Sequence, residues 1–164
     1  MPTTLLVLSD THVPARSRRL PESVRRAAAT ADLVVHAGDW VEESVLDDLL
    51  QYGPVLGVWG NNDGDDLRAR LPEVARQTIE GVRFGVVHET GPATGRESRM
   101  DAAYPDLDVL IFGHSHIPWG TTTPRGLRLL NQGSPTDRRR QPVGTFLSLI
   151  VADGALHDVT LSPV

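Results

Sequence analysis

LLVLSDTH, residues 5–12, decides the fold: four apolar residues run without interruption into serine, aspartate, threonine and histidine. A short continuous apolar run bounded by polar residues is the pattern of a fully buried strand. The same event recurs four times. LVVHAG (33–38) ends in Asp39, VLGVWG (55–60) in Asn61, FGVV (84–87) in His88, and VLIFG (109–113) in His114-Ser115-His116. Five strands thus deliver polar residues at their carboxyl ends, the edge at which open α/β sheets bind ligands.

The segments between these runs are amphipathic. PESVRRAAATA (21–31) and ESVLDDLLQY (43–52) read as helices, the first opened by Pro21 and Glu22 and the second stopped by Gly53-Pro54. After residue 72 the pattern turns β-rich. ARQTIE and VRFGVVH, parted at Gly81, form a hairpin pair, and a further helix over 95–103 precedes DVLIFG. IPWGTTT, LRLLN, TFLSLIVA and ALHDVTL then read as strands joined by turns and by a loop over 131–144. No repeat or linker divides the chain. The expectation is one α/β domain over 1–164 without a cap, built as two packed sheets with helices outside.

Composition narrows the chemistry. The 164 residues contain no cysteine, so thiolate catalysis and sulfur-ligated metals are excluded and any metal must be held by nitrogen and oxygen. The net charge of −5, with every basic residue an arginine, speaks against nucleic acid as a partner. The N-terminus has neither a basic n-region nor an apolar run near the roughly 18 residues of a membrane span, which leaves a soluble cytoplasmic protein as the expectation.

Asp10, His12, Asp39, Asn61, His88, His114 and His116 form the candidate set. Singly, an aspartate after a strand is a cap or turn residue and a histidine is structural. Together they are two carboxylates, four imidazoles and an amide oxygen, which suit divalent manganese, iron, zinc, nickel or cobalt. Seven ligands exceed one tetrahedral zinc. With one bridging carboxylate they match two ions about 3.5–4 Å apart, as in phosphatases and nucleases.

The ordered blocks DTH, GD, GNND, VH and GHSH resemble those of the calcineurin-like metallophosphoesterase superfamily, and the short uncapped chain is similar to its small YfcE-like phosphodiesterase branch. The resemblance implies a four-layer β-sandwich of two mixed sheets flanked by helices. It further implies that Asp10, His12, Asp39 and His116 hold one ion and that Asp39, Asn61, His88 and His114 hold the other. Asp39, Asn61 and His88 then stand at the catalytic centre, where a metal-bridging hydroxide attacks phosphorus in line.

Several positions depart from the superfamily pattern. Asn62 stands where many members carry the histidine that protonates the leaving group, and an amide cannot deliver a proton. Asp63, the partner such a histidine would have, reads as a support or a local cap. Glu89 and Thr90 follow His88 in place of Gly-His. LNQGSP resembles an NPGS segment with Gln132 in the proline place. Ser134 and Arg138, within TDRRR, are substrate-contact candidates with Asn62 and Glu89. Trp40 and Trp119 are possible pocket walls or packing residues, His36 packs near the site, and His157 reads as structural.

The function expected is hydrolysis of a small-molecule or nucleotide phosphodiester with a good leaving group, with manganese as the preferred metal and homo-oligomerisation compatible. The opposing class is a non-catalytic scaffold similar to the small retromer subunit. A nuclease fits less well, because accessory domains and a basic surface are missing.

Overall fold

The computed structural model describes residues 1–14 and 19–164. β1 (Thr3–Leu8), β2 (Leu33–His36) and β3 (Val55–Gly57) are parallel neighbours, linked by α1 (Glu22–Thr30) and α2 (Glu43–Leu50). β9 (Thr145–Ala152) joins β1 antiparallel and β10 (Ala155–Pro163) closes the edge, giving the order β10-β9-β1-β2-β3.

The second sheet grows from the middle of the chain. β4 (Val74–Ile79) and β5 (Val82–Val87) form the hairpin turned at Glu80-Gly81, both at positive φ. α4 (Arg96–Ala103) leads to β6 (Val109–Phe112), parallel to β5. β7 (Trp119–Thr122) and β8 (Arg128–Asn131) complete the order β4-β5-β6-β8-β7, with β8 parallel to β6.

Alternation along β1 shows how the layers arise. Leu5 and Val7 face Phe84, Val86 and Ile111 in the core between the sheets, whereas Leu6 and Leu8 meet Val24 of α1 and Leu46 and Leu49 of α2. On the far face of the second sheet, Leu110, Phe112 and Leu129 pack with Met100 of α4. The result is two mixed sheets face to face with helices on both outer surfaces. No described helix is long and apolar enough to cross a membrane.

Two local differences from the sequence reading have clear causes. α3 (Asp65–Arg70) lies where no helix is expected, because six residues with only Leu67 buried carry no apolar periodicity. Its signal is electrostatic, with Asp65 and Asp66 in the first turn and Arg68 and Arg70 in the last. β3 also ends at Gly57 rather than at residue 60, since the chain beyond it bends to carry Asn61 toward the other sheet.

Candidate metal centre

The carboxyl ends of β1, β2, β5 and β6 lie together, and the loop after β3 reaches them. Two hydrogen bonds tie the ends across the sheets: His88 Nδ1 donates to Ala37 O at 2.8 Å, and His114 N–H donates to Asp10 Oδ2 at 3.0 Å. The backbone there is strained. Asp10, His12, Asp39, His114 and His116 all have φ between 44° and 73°, a left-handed region that side-chain-bearing residues enter at a cost of about 1–3 kcal/mol each. Such cost persists where the surroundings over-determine it, and it clusters at functional sites.

All seven candidate side chains meet. His116 Nε2 is 3.6 Å and His12 Nε2 4.0 Å from Asp10 Oδ1, and His12 Nε2 is 3.5 Å from Asp39 Oδ2. The same Asp39 oxygen lies 3.4 Å from His88 Nε2. His88 Nε2 is 2.8 Å from Asn61 Oδ1, which is 3.1 Å from His114 Nδ1. Two donor groups result, Asp10-His12-His116 and Asn61-His88-His114, with Asp39 between them.

The donors fit cations. His12 Nε2 and His116 Nε2 are buried without a hydrogen-bond partner, which is costly for a polar atom unless something else engages it. His116 Nδ1 lies 2.6 Å from Asp137 O and His88 Nδ1 2.8 Å from Ala37 O. A carbonyl can only accept, so each contact puts the proton on Nδ1 and turns the Nε2 lone pair toward the centre.

Burial and neighbouring charge shift the protonation of these groups in opposite directions. Burial pushes the Asp10 carboxyl up to about 7, and burial lowers both His12 and His116, so each of these groups is driven toward neutrality. For Asp39 burial acts upward, yet the His88 contact and charge, with the Asn62 donors, hold the carboxyl below its usual range. Burial acts downward on His88, and Asp39 with Asp10 outweighs it and raises the imidazole. Two divalent ions would supply the positive charge that lets both carboxylates stay ionised beside neutral imidazoles.

Around the candidate ligands stands a layer of supporting contacts. Asp63 is buried and accepts three backbone N–H groups, from Asp39 and Gly60 on Oδ2 at 2.9 and 2.7 Å and from Val41 on Oδ1 at 2.7 Å. Ser9 Oγ donates to Asp10 Oδ2 at 2.8 Å and in turn accepts from Gln132 Nε2. Gln132 directly follows β8, whose carboxyl end joins the same edge. Strand-end polarity in LRLLNQ marks this element, although the sequence does not show that the amide reaches Ser9.

The other candidates fall in different places. Asn62 faces the centre, with Nδ2 2.9 Å from Asp39 Oδ2 and its backbone N–H 2.9 Å from Asp39 Oδ1. Glu89 is exposed, 3.7 Å from His114 Nε2, the ring nitrogen turned away from Asn61. Ser134, read as a substrate contact, is buried. It donates to Asp10 O at 2.7 Å and accepts from Asp137 N–H at 2.9 Å, so its hydroxyl holds the strained Asp10 backbone. Arg138 gives one nitrogen to Gln141 O at 2.6 Å and lines, with Arg139 and Arg140, a cavity of about 250 Å³ that includes His116.

Neither tryptophan suggested as a pocket wall lines the centre. Trp40 is fully buried beneath it, donating to Val58 O at 2.8 Å and stacked on His36 with ring centroids 3.6 Å apart. Trp119 sits on β7 over a separate groove with Leu130 and Val159. His36 packs near the site, and His157 is exposed on β10.

The model of the calcineurin-like phosphoesterase superfamily domain matches residues 4–154. The chain belongs to this superfamily. A probable metallophosphoesterase of Methanocaldococcus jannaschii is 35% identical over 150 residues, covering 90% of this chain and 75% of the relative. One from Methanothermobacter thermautotrophicus is 38% identical over 138 residues, covering 79% and 76%. Among solved structures, Vps29 of Entamoeba histolytica in complex with zinc superposes with a TM-score of 0.79 at 25% identity, over 98% of both chains. Superfamily membership and the donor groups agree that this is a divalent-metal phosphoesterase fold with candidate ligands in place.

Proposed function

We propose that this protein is a dinuclear metal-dependent phosphodiesterase acting on small-molecule or nucleotide phosphodiesters. The observation that carries the reading is Asp39 Oδ2, 3.5 Å from His12 Nε2 and 3.4 Å from His88 Nε2, which makes one carboxylate common to two donor groups. Asp10, His12, Asp39 and His116 are assigned to one ion and Asp39, Asn61, His88 and His114 to the other. Manganese is the favoured occupant, and iron, zinc, nickel and cobalt suit the same donors. When bound, the two ions supply Lewis-acid polarisation of a phosphoryl oxygen and a nucleophile at neutral pH.

The chain's own part is preorganisation. The contacts to Ala37 O and Asp137 O fix the rings of His88 and His116 before any ligand arrives. Asn62 can donate a hydrogen bond to a substrate oxygen beside Asp39 but cannot give up a proton, so nothing at this position protonates the leaving group. That asymmetry favours diesters whose leaving groups are already acidic. Arg138–Arg140 beside His116 supply positive charge toward an anionic substrate.

The test is metal analysis of protein purified without chelator, combined with hydrolysis of bis-p-nitrophenyl phosphate before and after manganese loading. Two ions per chain with metal-dependent turnover support the reading. The likeness to Vps29 favours a second one, a non-catalytic scaffold with protein partners, and that reading gains if the loaded protein gives no turnover.

A further inference from the structure

A second cavity opens directly off the centre, on the side away from the arginine loop. Its walls are Trp59, Arg68, Val74, Val87 and Tyr104, its rim carries Glu73 and Glu89, and its inner end is formed by Asn61 and His88 themselves. Its volume, about 240 Å³, lies below the roughly 300–1,000 Å³ that drug-sized ligands occupy, so it suits one ring system rather than a whole nucleotide.

The chemistry of the walls selects the occupant. The Arg68 guanidinium lies over the Trp59 ring with its carbon 4.1 Å from the centroid, and Arg68 Nε is fixed by Asp63 O at 2.9 Å. A planar guanidinium held over a ring in this way is a stacking surface for aromatic rings. The Trp59 face argues against a cationic ligand. Arg68 already covers that ring, so an incoming ammonium would meet guanidinium charge there where an aromatic cage offers a bare ring. Neutral ring systems meet no such penalty, and the carboxylates of Glu73 and Glu89 can accept hydrogen bonds from amino substituents on a ring.

We propose that this cavity receives an aromatic ring of the phosphodiester, an aryl group or a nucleobase, with Arg68 on Trp59 as one stacking surface and Tyr104 as the other. Tyr104 is then a specificity-determining residue well separated in sequence from every ligand. The assignment rests on the phosphodiesterase reading and adds the substrate class to it.

The experiment uses full-length protein loaded with manganese, with methyl phosphate, phenyl phosphate and adenosine monophosphate as competitive inhibitors of bis-p-nitrophenyl phosphate hydrolysis. Stacking of one ring changes affinity by about tenfold, so phenyl phosphate should inhibit about tenfold more tightly than methyl phosphate. That ratio should fall toward one in Tyr104→Ala and be kept in Tyr104→Phe, with melting temperatures reporting the fold of both. Arg68→Lys, which keeps charge and loses the plane, should lower the ratio as well. Adenosine monophosphate inhibiting more tightly than phenyl phosphate identifies the ring as a nucleobase, and the reverse order identifies it as an aryl group. Equal inhibition by methyl and phenyl phosphate, or a ratio unmoved in Tyr104→Ala, overturns the assignment while leaving phosphodiesterase activity standing. Absence of any hydrolysis to inhibit overturns the phosphodiesterase reading itself, and this inference with it.

Discussion

Asp63 Oδ2 accepts the backbone N–H of Asp39 at 2.9 Å, so the carboxylate that stands between the two donor groups is positioned by a second carboxylate beneath it. Asp63 also takes the N–H groups of Gly60 and Val41, which binds the loops after β2 and β3 to one side chain. Asp63→Ala leaves these donors without a partner, at about 1–3 kcal/mol for each buried one. Urea denaturation should show a loss of roughly 2–5 kcal/mol, and metal analysis should show fewer than two ions per chain. Asp63→Asn, with a single acceptor oxygen, should fall between. Wild-type stability with full loading would mean that these contacts are idle.

The chain Gln132 Nε2 to Ser9 Oγ to Asp10 Oδ2 gives a second prediction. Groups that orient a ligand carboxylate typically change metal affinity 10- to 100-fold when removed. Ser9→Ala should therefore weaken manganese binding by about that factor in isothermal titration. Gln132→Leu should do so less, since Ser9 keeps its own bond to Asp10. Unchanged titration curves for Ser9→Ala would show that the His114 N–H alone fixes Asp10.

Close approach of the loops needs residues without side chains. A methyl group on Gly60 would overlap the Asp39 carboxylate, and one on Gly38 would lie 2.8 Å from His88 Nδ1. Gly38 thus lets the two sheets meet, and Gly60 lets the loop after β3 lie against Asp39. Gly60→Ala should cost at least 2 kcal/mol through forced displacement, a figure in the usual range for overpacking. It should also abolish activity even where the protein still folds. Thermal melting and turnover measured on the same sample check both parts.

Much of this was legible because burial and polarity change abruptly at strand ends. Each of LLVL, LVVH and VLIF is wholly buried, and the polar residue at its end has one edge of the sheet to occupy. Sequence cannot supply the direction in which a residue next to a ligand points. Trp40 follows Asp39 and reads equally well as a wall or as core; positive φ at Asp39 and Val41 frames it, and it lies inward onto His36. Ser134 is similar, since its hydroxyl is committed to a carbonyl 124 residues away. The cavity beside Asn61 combines Trp59, Arg68 and Tyr104 from three separate elements, a juxtaposition that exists only once the sheets have packed.

His36 links stability to pH. It is fully buried, accepts Gly38 N–H on Nδ1 at 3.1 Å and so donates from Nε2 to Thr11 Oγ1 at 3.1 Å. Burial holds its pKa well below the ordinary 6.5, so the folded chain keeps it neutral while the unfolded chain takes up a proton below that pH. Its contribution is complete above 6.5 and declines as pH falls, by about 1.4 kcal/mol per pH unit, until the folded pKa is reached. His12 and His116 act in the same direction, so the informative quantity is the difference between wild type and His36→Gln. In urea denaturation across that acid range, the variant's stability should decline less steeply by one proton's worth. Parallel pH profiles would show that His36 titrates alike in both states.

On the proposed phosphodiesterase reading, Asn62 sets the leaving-group preference. With no proton donor at this position, aryl phosphodiesters should react well and alkyl phosphodiesters slowly, a contrast measurable with p-nitrophenyl and methyl esters under manganese; equal rates would exclude the argument. Asn62→His tests it from the other side. The backbone N–H of residue 62 is anchored on Asp39 Oδ1 at 2.9 Å, so a new imidazole would start beside the centre. Its natural orienting partner, Asp63, already receives three backbone N–H groups and has little capacity left for a ring. A well-placed general acid gives about 10²–10⁴ in rate, and an unoriented one gives less. Asn62→His should therefore raise turnover of alkyl diesters by about tenfold and leave aryl diesters within twofold. A gain shared equally by both substrate classes would mean that the histidine acts on binding rather than on proton delivery.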